Sequence, residues 1–154
     1  MFRKLPWLFS IVSFALILIV SSPIKYVLNV PSAIVAVVLP IFILLAVFSA
    51  ADIRQAFKDL FSPADAGQSA FQLRKSSQVF VTYGILSLAL GIIASMFSVV
   101  AILGNLSTPE DLPVNFSVSM ITIFYALLVI VFLAYPASNA LSSAARRATL
   151  IDES

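Results

Sequence analysis

Charged residues divide this 154-residue chain into four long stretches that contain no Asp, Glu, Lys or Arg. These stretches cover residues 5–24, 26–51, 76–109 and 112–145 and are 20, 26, 34 and 34 residues long. A helix needs about 20 predominantly apolar residues to cross a bilayer, so each stretch is long enough. Their apolar runs lack the alternation of barrel strands, and a backbone in lipid must satisfy its own hydrogen bonds, so we predict helices.

The predicted fold is an all-α integral membrane protein with four transmembrane helices, formed by residues 1–154 as a single membrane domain. The predicted spans cover about residues 6–23, 30–50, 78–103 and 114–137, with a cytoplasmic loop at 52–75 and a cytoplasmic tail at 138–154. Pro40 lies within the second span, where its ring and its missing N–H are expected to bend the helix.

Basic residues are distributed unevenly around these spans. Eight of the nine would lie on one side of the membrane, and Lys25 would lie on the other. The eight are Arg3, Lys4, Arg54, Lys58, Arg74, Lys75, Arg146 and Arg147. The positive-inside rule then predicts that both termini are cytoplasmic. A secretory signal is the alternative for the N-terminus, but the segment after the apolar run lacks a clear cleavage site, so we interpret it as the first helix.

The composition agrees with a membrane protein, since 61% of the residues are hydrophobic and 10% are charged, with a mean hydropathy of +1.09. The chain contains no His and no Cys, which excludes Cys or His nucleophiles, haem ligation and disulfides. We therefore expect no enzymatic activity, no cofactor and no metal site. The net charge of +2 comes from scattered residues, so a nucleic-acid partner is not expected.

The predicted loop contains one amphipathic segment. Ile53, Phe57, Leu60 and Phe61 follow helical spacing, with Arg54, Lys58 and Asp59 on the other side. Such a segment could lie near lipid headgroups or against a partner helix. An ordinary helix end is the simpler interpretation.

Small and hydroxyl residues recur every three or four positions in the last two predicted spans, which contain no charged residue. The third span carries Gly84, Ser87, Gly91, Ser95 and Ser98, and the fourth carries Asn115, Ser119, Thr122 and Ala126. Small residues at this spacing let helices approach closely, so helix packing is the expected role of Gly84, Ser87, Gly91, Ser119 and Ala126. The alternative is a surface that lines a pore or faces a partner.

The stretch from Gly91 to Leu141 resembles, without an obvious gap, the last two membrane helices of the flagellar stator subunit MotA and its ExbB/TolQ relatives. The matching residues are Gly91, Val100, Leu103, Asn105, Leu106, Pro109, Leu112, Val118, Thr122, Tyr125, Pro136 and Leu141. Further similar positions are Val30, Pro31, Ser32, Ile34 and Val35 in the second helix and Ala56, Phe57 and Lys58 at its exit. Together these segments cover over half of the chain.

The resemblance implies a multi-pass subunit of the bacterial inner membrane. In the family, five copies surround a dimer of a single-span partner, MotB-like or ExbD-like, whose aspartate carries the ion. By that resemblance we expect a homo-oligomer in the lipid bilayer, pentameric as in the family, that forms a proton or sodium channel of the stator type. Ser95, Ser98 and Thr122 would then line the ion path or face the partner.

Several positions depart from the family pattern. The connection from residue 52 to 75 is only 24 residues long, whereas MotA carries a large cytoplasmic domain there, so direct torque transfer is not expected. Leu88 and Ile123 replace a proline and a threonine of the family. These departures favour a second hypothesis, a non-conducting membrane scaffold or assembly factor with the same fold.

Overall fold

The computed structural model describes residues 12–14, 16–17, 29–61, 69–104 and 112–152; for 112–115, 118, 151 and 152 it describes the backbone alone. Nearly all of these residues are helical, and none of them belongs to a strand. Three of the described helices are long and apolar enough to cross a membrane. An all-α fold of membrane character is therefore confirmed for this part of the chain, while the count of four spans and the topology stay predictions.

Four helices organise the described residues from 29 to 152. Helix α1 is Val30–Val47, α2 is Ala50–Phe61, α3 is Ala70–Gly104, and α4 covers residues 112–152. The predicted loop at 52–75 thus contains most of α2 and the first turns of α3, and the predicted tail is helical to Asp152.

Side-chain caps define where α1, α2 and α3 begin. The Asn29 side chain accepts a hydrogen bond from the Ser32 N–H at 3.1 Å and caps α1. Ser49 and Ser69 cap α2 and α3 in the same way, by accepting bonds from the N–H groups of Asp52 and Gln72. Each cap satisfies a backbone donor that has no partner within its helix.

A π turn interrupts α1 and another interrupts α4, each shortly before a proline. The turn Ile34–Val38 precedes Pro40, and the turn Ile130–Ala134 precedes Pro136. A proline cannot donate the usual backbone hydrogen bond, and a local π turn lets the helix continue past it. At Pro40, where the sequence predicts a bend, the helix therefore carries a π turn and runs on to Val47.

Helix α3 is central, with α1 and α4 packed antiparallel against it. Along α3, contacts with α4 run in order from Ser77 with Ser138 to Ser95 with Ser119. Most of the buried apolar side chains form a single cluster, which lies mainly around the α2 end of the bundle. Its members are Leu44, Ala56, Leu73, Val79, Phe80, Tyr83, Val129, Ala137, Leu141 and Ala145.

Only five residues of the predicted first span, 12–14 and 16–17, are described, and they are helical. Phe14 packs against Phe132 and Phe124 of α4, with ring centroids 5.1 Å and 6.4 Å apart. This segment therefore lies against α4. The remainder of the predicted first span lies outside the described residues.

Candidate functional site

The face of α3 that meets α4 contains two glycines at the points of closest approach. A Cβ atom added to Gly84 would lie 2.7 Å from the Cβ of Ala134, and one added to Gly91 would lie 2.7 Å from the Cβ of Ala126. At Gly91 the backbone carbonyl oxygen of Thr122 would be only 3.3 Å away. At Gly91 α3 lies close to the backbone of α4, and at Gly84 it lies against the side chains of Ala134 and Ile130, so a larger residue at either position would force the helices apart.

Two hydroxyls of α3 donate to backbone carbonyls at the π turn of α1. Pro40 has no N–H, so the Ala36 carbonyl four residues earlier lacks its usual helical donor. The buried hydroxyl of Ser87 donates to that carbonyl oxygen. The Tyr83 hydroxyl donates to the adjacent carbonyl of Val37 at 3.0 Å. The neighbouring helix therefore replaces the hydrogen bond that the proline removes.

Four buried hydroxyl residues meet where α1, α3 and α4 come together. The Ser95 hydroxyl donates to the backbone carbonyl of Ser119. The Thr122 hydroxyl donates to the hydroxyl oxygen of Ser32 at 2.9 Å. Ser95 and Thr122 are 1% and 5% exposed, and Ser32 and Ser119 are also buried. We call Ser32, Ser95, Ser119 and Thr122 the hydroxyl cluster.

Asn29 and Tyr125 extend this polar region to the start of α1. The Asn29 backbone N–H donates to the Tyr125 hydroxyl oxygen at 3.1 Å. Because Asn29 also caps α1, the bond ties the beginning of that helix to α4.

A second polar group lies between α2 and α3. The Asp59 side chain is 4% exposed. Its carboxyl oxygens accept bonds from the Ser76 hydroxyl at 2.5 Å and from the Gln55 amide at 2.6 Å. The sequence pattern placed Asp59 with Arg54 and Lys58, opposite Phe57 and Phe61. The structure instead turns Asp59 into the helix interface and leaves both basic residues exposed on the same side as the two aromatic residues.

Near this group, Lys75 of α3 forms an ion pair with Asp52 of α2, with 2.8 Å between Nζ and Oδ1. The hydrogen bond from Lys75 lowers the pKa of the Asp52 carboxyl, and hydrogen bonding with Ser49 acts in the same direction. Both side chains are partly exposed, so the pair contributes little to the stability of the fold.

Chemically, the hydroxyl cluster can donate and accept hydrogen bonds, but it contains no titratable side chain. In the part of the chain that the structure describes, no group of three or more carboxyl, imidazole or thiol side chains could hold a metal ion. The described side chains leave no buried polar atom without a partner. The observed chemistry is that of polar contacts between helices.

The structure brings most of the predicted site residues to the interfaces of α3. Of the packing candidates, Gly84 and Gly91 lie against α4, Ser87 lies against α1, and Ser119 and Ala126 are buried on the α4 side. Of the ion-path candidates, Ser95 and Thr122 are in the hydroxyl cluster. Ser98 is half-buried, one helical turn beyond Ser95.

Sequence reasoning missed Ser32, Tyr83 and Asp59 as members of polar contacts. Asn29 lies three residues before Ser32 with Pro31 between them, which is a recognisable signature of a helix start. That signal locates the cap, but it does not show that Thr122 lies beside it.

No family model and no curated protein matches the chain.

Replacing Gly91 by Ala should destabilise the protein by about 1–3 kcal/mol, because the new methyl group has to displace Ala126 or the Thr122 backbone. Gly84→Ala should behave similarly. The free energy of unfolding is measured by titrating the protein in mixed micelles with SDS.

Gly104→Ala is the matched control, since nothing lies within 4 Å of a Cβ atom added there. This variant should remain within about 0.5 kcal/mol of the wild type. Equal stability of all three variants would show that α3 and α4 do not approach as closely as described.

Proposed function

We propose that the chain is a multi-pass membrane subunit of an oligomeric complex, a non-conducting scaffold or assembly factor with a fold like that of the MotA/ExbB/TolQ family and without an ion path through its own hydroxyls. The main evidence for this proposal is the burial of Ser95 and Thr122. A side chain that faces a partner subunit is exposed when the chain is alone, yet these two are 1% and 5% exposed in the single chain. Their hydroxyls also donate within the chain, to Ser119 and Ser32.

The opposite side of α3 supports a role in assembly. It exposes a column of large apolar side chains, which are Ile85, Ile92, Ile93, Met96, Phe97 and Val100. In a bilayer this surface contacts lipid or a neighbouring subunit, and the resemblance to MotA favours further copies of the chain. The proposed location is the bacterial inner membrane, with both termini in the cytoplasm.

Conduction around a single-span, acid-bearing partner of the MotB or ExbD kind is the second candidate. Ser98 favours it, because its side chain is half-buried in the single chain and so remains accessible to a partner. A buried acid needs polar neighbours in order to exchange its ion, and a hydroxyl at this position could serve.

Native mass spectrometry and ion flux distinguish the two candidates. We expect the complex purified in detergent to contain several copies of the chain. Liposomes carrying that complex should show no more proton or sodium flux than protein-free liposomes. A wild-type flux that is lost in Ser98→Ala, with the copy number unchanged, would contradict the scaffold proposal and favour conduction.

The hydroxyl cluster provides the control for that experiment. The double variant Ser95→Ala with Thr122→Val keeps the side chains near their original size and removes both hydroxyls. If the wild type conducts and this variant alone stops the flux while its copy number is unchanged, then the ion path runs through the cluster and the proposed reason for excluding it is wrong.

The proposed topology has a separate test by cysteine labelling. Single cysteines introduced at Ser107 and Ser143 should react from opposite sides of the membrane, because the basic residues predict a cytoplasmic C-terminus and an external connection before the fourth span. Impermeant maleimide added outside intact cells should label the cysteine at 107 and not the one at 143. Equal labelling of both would contradict the topology.

A further inference from the structure

Helix α2 does not continue the direction of α1. Phe48 ends α1 in an extended conformation, with φ −119° and ψ 146°, and Ser49 caps the new helix. Val37 of α1 contacts Tyr83 of α3, and α1 runs from there towards the beginning of α3. A straight continuation would carry residue 59 past the first residue of α3. Asp59 instead contacts Ser76, well inside α3.

Two contacts show that α2 crosses α3 steeply. Asp52 and Asp59 are two helical turns apart, about 10 Å along the axis. Nevertheless, they contact the adjacent residues Lys75 and Ser76 of α3. If α2 and α3 were packed side by side, residues two turns apart on α2 would contact residues two turns apart on α3. Since α1 and α3 are long enough to cross a bilayer, a helix that crosses α3 steeply at their shared end lies along the membrane surface.

The exposed side of α2 combines aromatic and basic residues, and at its edge the Phe57 ring also packs against Phe80 of α3, with ring centroids 5.2 Å apart. Ala56 and Asp59 are buried against the bundle. Arg54, Phe57, Lys58 and Phe61 follow the three- and four-residue spacing of one helix face, and all four are exposed. Phe57 is 44% exposed and Phe61 76%. We call these four residues the outer face of α2.

The carboxyl groups of α2 do not neutralise this face. Asp52 pairs with Lys75, and Asp59 accepts bonds from Ser76 and Gln55 inside the helix interface. The outer face therefore presents two positive charges beside two aromatic rings. Further exposed arginines lie on the elements next to α2 at this end of the bundle, at positions 74, 146 and 147.

We propose that the outer face of α2 binds anionic phospholipid headgroups. Phe61 and the exposed part of Phe57 enter the boundary between headgroups and acyl chains, and Arg54 and Lys58 contact the phosphates. Aromatic residues on the apolar side and basic residues along its edge are the pattern of a helix that lies in a membrane interface. The negative surface potential of a leaflet rich in anionic lipid supplies the complementary charge. The inference rests on the membrane character of the chain and applies to a scaffold and to a conducting subunit alike.

The depth of α2 can be measured in the full-length protein reconstituted into liposomes. Trp7→Phe removes the single tryptophan, and Phe61→Trp places a new one on the outer face. We expect bromine near the top of the acyl chains to quench this tryptophan more strongly than bromine near the bilayer centre, and we expect little quenching by aqueous iodide. Strong quenching by iodide, or no quenching by either brominated lipid, would place the face in water or under a protein partner and would overturn the proposal.

The same tryptophan reports lipid preference when the bromine is carried either by phosphatidylglycerol or by phosphatidylcholine. We expect brominated phosphatidylglycerol to quench the tryptophan more strongly than brominated phosphatidylcholine, because the anionic lipid binds the outer face of α2 more tightly. Arg54→Gln with Lys58→Gln should lower its relative affinity by up to about five-fold for each basic residue removed. The matched control is Arg146→Gln with Arg147→Gln, which removes the same charge from α4 and should change the ratio less than the α2 variant does. Equal quenching by both lipids in the parent protein, or an equal loss in both double variants, would contradict specific headgroup binding by α2.

Discussion

A backbone carbonyl that loses its helical donor inside a membrane has no water to replace it, and this constraint ties α3 to α1 at the π turn. Pro40 removes the usual donor for the Ala36 carbonyl, and Ser87 of α3 supplies another. On either side of Ser87 along α3, Tyr83 and Ser95 also donate to backbone carbonyls of neighbouring helices. Because each donor must face its acceptor, these bonds fix the rotation of α3 as well as its position.

The use of hydroxyls inside the bundle bears directly on function. Polar groups in a membrane helix can hold helices together or serve a path for ions, and the two uses require different exposure. Ser95 and Thr122 are buried in the single chain, so their hydroxyls act between helices of the chain. The large apolar residues on the opposite side of α3 remain available for lipid or other subunits. This division favours assembly over conduction as the role of the chain.

The sequence predicts which residues share one face of a helix, but it predicts less well which residues of other helices contact that face. The spacing of Gly84, Ser87, Gly91 and Ser95 predicts one small-residue face on α3, and all four are buried in the structure. Helical periodicity contains no information about the acceptor on another helix, so the bond from Ser87 to the π turn could not be foreseen. The same limit explains Asp59, whose burial depends on a serine 17 residues away on α3.

A double-mutant cycle tests directly whether Ser87 replaces the hydrogen bond removed by Pro40. In the wild-type background, Ser87→Ala should cost about 1 kcal/mol of unfolding free energy, since a buried carbonyl loses its donor. In a Pro40→Ala background, residue 40 can again donate to the Ala36 carbonyl, so the same change should cost at least about 0.5 kcal/mol less. An identical cost in both backgrounds, measured by unfolding in mixed micelles, would show that the two residues act independently and would contradict the account.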